Sequence, residues 1–169
     1  MKHVTLGHTP DADDAFMFYG IASGNVDSPY FQIEHVIEDI EKLNKRAIDH
    51  ELDITAISAH AYAFIKNYVI LSSGGSFGIN YGPVVISKKN IELSDLPKCK
   101  IGIPGKMTSA NLLLNLAVGK FDGVEMIFSE IPKYVLSGVI DAGLVIHEAQ
   151  ISFGDEFHRI LHLEQWWHN

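Results

Sequence analysis

Short apolar runs alternate with helically spaced stretches along almost the whole chain. Residues 4–7 form an apolar strand, followed by the turn-prone His8-Thr9-Pro10-Asp11-Ala12. A helix is expected from about residue 13 to 22, where Gly24 stops it. Residues 31–37 alternate like a half-exposed strand, and Ile40, Leu43 and Ala47 share one face of a helix over 40–48. Residues 52–57 read as a strand, 58–65 as a helix and 68–71 as another strand. A loop over 72–82, carrying Gly74, Gly75, Gly78 and Gly82, then leads into the apolar strand 83–87.

The polar stretch 88–98 interrupts this pattern, and a second series follows. Strands are predicted at 100–103, 124–128, 140–146 and near 159–163, with helices at 107–118 and 131–137. Alternation of this kind implies parallel sheets with helices on both faces. Two series predict two α/β lobes around a cleft, residues 1–88 and 99–169, joined by a crossover at 89–98. No internal repeat or low-complexity segment breaks the plan.

Composition narrows the function. Of 169 residues, 47% are hydrophobic and 20% charged, as in a globular protein. Thirteen basic against 21 acidic residues give a net charge of −8. With no Lys/Arg cluster, neither a nucleic-acid groove nor an anionic membrane surface is an expected partner. The first residues read as a strand rather than a secretory signal, and no apolar run is long enough to span a bilayer. A cytoplasmic location is expected, and the single Cys99 has no partner for a disulfide. Oligomeric state is not legible.

His147 ends the apolar run of residues 140–146. In an open α/β sheet, ligands sit beyond the carboxyl ends of the strands, and imidazole titrates near neutrality. The residue is therefore a candidate base, or simply a strand cap. Pro104-Gly105-Lys106-Met107-Thr108-Ser109-Ala110 lies between a strand and a helix, where backbone N–H groups and hydroxyls make an anion cradle. Its spacing is not that of a P-loop, and simple N-capping by Thr108 or Ser109 competes. Ser58, after Ala56 and Ile57, stands at another strand-to-helix junction and presents the same choice.

Asp11, Asp13 and Asp14 could in principle hold a divalent cation, but acidic residues also suit a helix start. The glycines of Ser73-Gly74-Gly75-Ser76-Phe77-Gly78 permit close approach to a ligand, or a hinge. The continuation Glu148-Ala149-Gln150-Ile151 excludes an H-E-x-x-H zinc helix at His147. The other histidines lack ligand spacing, and no nucleophilic triad or Cys/His pair can be argued. Neither a metal nor a cofactor is expected.

Several of these stretches, in order, resemble the menaquinone-biosynthesis family that includes 1,4-dihydroxy-6-naphthoate synthase. They are residues 7–19, Glu38-Asp39-Ile40-Glu41-x-Leu43-Asn44, Ser73-Gly74-Gly75, Tyr81-Gly82-Pro83-Val84-Val85, Pro104-Gly105-x-x-Thr108-Ser109 and residues 142–148. The resemblance implies a periplasmic-binding-protein-like (type II) fold of two α/β lobes around a cleft. It also implies a cofactor-free lyase that converts cyclic dehypoxanthine futalosine in the futalosine pathway.

By the same resemblance, His147 is the proton acceptor, and Ala56, Ile57, Ser58, Thr108 and Ser109 contact a small carboxylate substrate. Some relatives carry Ser-Pro-Cys-Pro-Asn-Asp where this chain has Thr9-Pro10-Asp11-Ala12-Asp13-Asp14. Family chains also run longer, so the first lobe is expected to lack a carboxyl-terminal return. Two rivals stand beside the lyase: a non-catalytic solute-binding protein for a small carboxylate, and a chorismate dehydratase of the same pathway.

Overall fold

A computed structural model describes residues 1–146 and 154–169. Within them the chain forms two compact units, Met1–Phe77 and Gly78–Asn169.

The first unit is built on three parallel strands. β1 (Lys2–His8) lies between β2 (Phe31–Ile37) and the two-residue β3 (Ile54–Thr55). Helix α1 (Ala12–Ala22) connects β1 to β2, and α2 (Ile40–Ile48) connects β2 to β3, with the single-turn α3 (Ala59–Tyr62) beyond. Leu43 and Ala47 of α2 are buried with Val4, Leu6, Leu52 and Ala61. Gly7 is required at the centre of this packing. A Cβ there would lie 2.7 Å from Leu52 Cδ1 and 2.9 Å from Leu43 Cδ2.

Because all three strands run the same way, their carboxyl ends share one edge, where Thr9, Glu38 and Ala56 emerge. Ala56 N–H still donates to Gly7 carbonyl at 2.8 Å, which holds the chain against β1 as it leaves β3. The expected strand at 68–71 does not form. Val69 and Ile70 are 82% and 73% exposed and have no strand to pair with among the described residues.

The second unit is a five-stranded sheet in the order β6-β5-β7-β4-β8. Its strands are β4 (Val84–Ser87), β5 (Lys100–Ile103), β6 (Asp122–Glu125), β7 (Ala142–Val145) and β8 (His158–His162). Helices α4 (Ser109–Val118) and α6 (Leu163–His168) share one apolar cluster with the sheet, through Ala110, Leu114, Leu163, Ile101, Ile103, Val85 and Leu144. Helix α5 (Ile131–Ser137) covers the other face through Ile131 and Val135, which pack with Val84, Ile86 and Val145. Successive β4 residues thus enter opposite cores, so the strand is apolar throughout.

Two expectations change here. β5, β6 and β7 are parallel, but β4 runs antiparallel to both β7 and β8, so the sheet is mixed. β4 therefore belongs to the second unit, and the polar stretch at 88–98 lies inside that unit as a loop and a short 3-10 turn, Leu93–Lys98. A short apolar run specifies a strand but not its partner, so sequence alone put β4 in the wrong sheet.

Candidate functional site

At the carboxyl edge of the first sheet, Ser58 occupies the N-cap position of α3, yet its side chain makes no capping hydrogen bond. It is engaged by Asn44 instead. Asn44 Nδ2 donates to Ser58 Oγ at 3.1 Å, and Ser58 N–H donates to Asn44 Oδ1 at 2.9 Å. Asn44 is fully buried. Both its bonds fix the junction between β3 and α3, and neither uses the hydroxyl hydrogen of Ser58. Ala56 and Ile57 are half-buried in the same turn.

The turn after β1 is organised by Thr9. Its N–H donates to Asp14 Oδ2 at 2.6 Å, and its Oγ1 lies 2.8 Å from Asp11 Oδ2 and 2.9 Å from Asp14 Oδ2. Thr9, Asp11 and Asp14 are all buried. The carboxylates thus serve the turn itself, and among the described residues no group of three or more His, Cys, Asp or Glu could hold a metal ion. The glycine-rich loop is tied to this region, since Ser76 Oγ donates to Asp13 Oδ2.

Beside this turn, His8 is buried against Phe18, with ring centroids 4.9 Å apart. His8 Nδ1 lies 3.0 Å from Thr9 carbonyl and His8 Nε2 lies 3.0 Å from His35 Nδ1. A carbonyl can only accept, so Nδ1 of His8 carries a hydrogen, and the two rings share one further hydrogen between His8 Nε2 and His35 Nδ1. Burial, reinforced by the neighbouring His8, holds the His35 imidazole below its ordinary value.

In the second unit, Gly105 turns the chain out of β5 with φ of +150°, a conformation that glycine adopts readily. Thr108 then caps α4. Its Oγ1 donates to Gly105 carbonyl at 2.8 Å and accepts from Asn111 N–H at 3.2 Å. Capping has thus taken the Thr108 hydroxyl hydrogen, and a bound anion would rely on Ser109 and the first-turn amides of α4. Lys106 N–H donates to Glu125 Oε1 at 3.2 Å, which ties this loop to the end of β6.

β7 ends at Val145. His147 lies outside the described residues.

Sequence reading overlooked Asn44. It occupies the third position of the stripe Ile40, Leu43, Asn44, Ala47, the i, i+3, i+4, i+7 spacing of a buried helix face. A polar amide in that stripe was the available signal. The His8–His35 pair gave none, because residues in neighbouring parallel strands meet only once the register is known.

A family profile described as menaquinone biosynthesis matches residues 4–169. The 1,4-dihydroxy-6-naphthoate synthase of Thermus thermophilus is 35% identical over 169 residues, covering 99% of this chain and 61% of that protein. The enzyme of the same name from Streptomyces coelicolor is 29% identical, covering 96% of this chain and 59% of its own. The chain thus spans about 60% of the length of these curated relatives. Among solved structures, an Archaeoglobus fulgidus protein superposes with a TM-score of 0.90 at 51% identity, over 98% of this chain and 62% of that one. An alkanesulfonate-binding protein from Xanthomonas axonopodis, solved with MOPS bound, gives a TM-score of 0.72 at 11% identity, over the same shares. The second likeness establishes a periplasmic-binding-protein-like fold.

Proposed function

Because the chain belongs to the menaquinone biosynthesis family, we propose that it performs the step for which its curated relatives are named, the formation of 1,4-dihydroxy-6-naphthoate. In this proposal it is a cytoplasmic carbon–carbon lyase acting on cyclic dehypoxanthine futalosine. Ser58 and its neighbours Ala56 and Ile57 hold the substrate. Ser109, with the first-turn amides beside Thr108, binds its carboxylate, and His147 accepts a proton.

One observation carries the assignment beyond family membership. At Ser58, a fully buried amide orients the hydroxyl without using its hydrogen, an arrangement helix capping alone does not require. At the second unit, α4 contributes the partial positive charge of a helix start, about 0.3–1 kcal/mol toward an anion. A positioned imidazole contributes about 10²–10⁴-fold, and orientation of the bound substrate contributes a large further share.

The test is incubation of the purified protein with cyclic dehypoxanthine futalosine, following the naphthoate chromatographically. His147→Ala is expected to lower turnover by about 100-fold or more, and Ser58→Ala to raise KM. If the wild-type protein binds the compound without consuming it, a solute-binding role replaces the enzyme. If it dehydrates chorismate instead, the substrate assignment is wrong.

A further inference from the structure

We propose that a cavity at the outer end of β8, in the second unit, is a binding site for a small organic monocarboxylate, with Arg159 as its anchor. The cavity measures about 300 Å³ and is lined by Asn80, Tyr81, Gly82, Val84, Arg159, His162, Glu164 and Gln165. That volume lies at the lower end of the range of small-molecule sites. It opens where β8 ends and β4 begins. β8 runs parallel to β7, so this is the same edge of the sheet from which the chain leaves β5 and β7. Ligands of open α/β sheets gather at such edges.

An irregularity of the sheet assembles the site. Val84 pairs with His162, Val85 with Leu161 and Ile86 with Arg159, so Ile160 is an extra residue in β8. Without that bulge, positions 159 and 162 would face opposite sides of the strand. With it, both lie opposite the alternate residues Val84 and Ile86 and share one face, while Ile160 and Leu161 both turn to the other core. Bulges commonly re-aim side chains in this way near binding sites.

The walls are firm. Leu163 N–H donates to Pro83 carbonyl at 3.0 Å, and a Cβ on Gly82 would come within 2.8 Å of Glu164 Cβ. Four polar side chains of the lining, by contrast, are unspent. The side chains of Asn80, Arg159, His162 and Gln165 make no hydrogen bond or ion pair with any described residue, whereas Glu164 faces His168 at 3.6 Å. A guanidinium presents a fork that matches a carboxylate, flanked here by imidazole and amide donors. Arg159 and Glu164 cancel in charge. A monoanion is therefore favoured over phosphate, whose second charge would meet the Glu164 carboxylate.

The experiment titrates benzoate and, separately, inorganic phosphate into the protein while the His162 ring resonances are followed by NMR. The wild-type protein is compared with Arg159→Gln and Lys120→Gln, the latter a charge-matched control outside the cavity. Benzoate is expected to shift His162 saturably, and Arg159→Gln to weaken binding by about tenfold or more, with Lys120→Gln unchanged. Because Arg159 is exposed on an edge strand, its variant should retain the wild-type thermal midpoint. A His162 signal indifferent to benzoate, equal weakening by both variants, or tighter binding of phosphate than of benzoate would each overturn the assignment.

Discussion

Asn44 and Ser58 bind one another in both directions, amide to hydroxyl at 3.1 Å and backbone N–H to amide oxygen at 2.9 Å. The two residues are fourteen positions apart, on α2 and at the start of α3, so the pair fastens a helix interior to the turn that leaves β3. Replacing Asn44 with Ala removes both bonds and leaves the Ser58 N–H unsatisfied, a loss of about 1–3 kcal/mol. Asn44→Asp retains the acceptor for that N–H but loses the donor to the hydroxyl. Thermal unfolding is expected to show a smaller loss for the Asp variant, while naphthoate formation drops in both. Full activity in a folded Asn44→Ala protein would remove Asn44 from the positioning role.

Thr108 separates structure from function in the second unit. Its hydroxyl caps α4, so Thr108→Ala should lower stability by about 1 kcal/mol, and Thr108→Ser should restore most of it. Ser109→Ala, by comparison, is expected to raise KM. The two effects are read by urea titration and by steady-state kinetics on the same preparations.

Gly143 predicts a packing defect. A Cβ at this position would lie 2.3 Å from Ile131 Cγ2 and 3.0 Å from Val135 Cγ2, so α5 rests directly on the backbone of β7. Gly143→Ala is expected to destabilise the second unit by about 1–3 kcal/mol through overpacking. Pairing it with Ile131→Ala should recover part of the loss, because the two changes share one space. Strict additivity in a denaturant series would contradict that contact.

Acid should loosen the first unit through His35. The folded form binds a proton on this imidazole less readily than the unfolded chain, since burial and the adjacent His8 depress its pKa. Its contribution is present above the unfolded value, about 6.5, and is lost as pH falls below it. The urea midpoint of the wild-type protein should therefore fall more steeply from pH 7 to pH 5 than that of His35→Gln. Parallel slopes would show that the pair is not linked to folding.

The parts of this molecule that were legible in its sequence are those whose pattern has a single structural meaning. β1, β5, α2 and α4 follow from local periodicity, and the turn at Gly105 into α4 from its glycine and hydroxyls. Residues 68–71 carry the same apolar signal as a strand, but a strand also needs a neighbour, and Val69 and Ile70 stand exposed without one. The allegiance of β4 was hidden for a related reason, since its partners β7 and β8 lie far along the chain. α6 was missed because Leu163 is its one buried residue and two adjacent tryptophans show no helical stripe. At the candidate site, Ser58 and the 104–109 turn were visible as strand-to-helix junctions. Whether each hydroxyl caps its helix or faces outward was decided by Asn44 in one case and Gly105 in the other, and neither choice is written in local spacing.

The extra residue in β8 has one more consequence, for solubility. β8 is the outermost strand of the five-stranded sheet, and a straight outer strand offers its free backbone groups to any other chain in extended form. The bulge at Ile160 breaks the regular ladder, and Arg159 adds a charge beside it. A second molecule attempting to add its own strand there would lose register after two or three residues. The same irregularity that brings Arg159 and His162 to one face thus guards the sheet against aggregation.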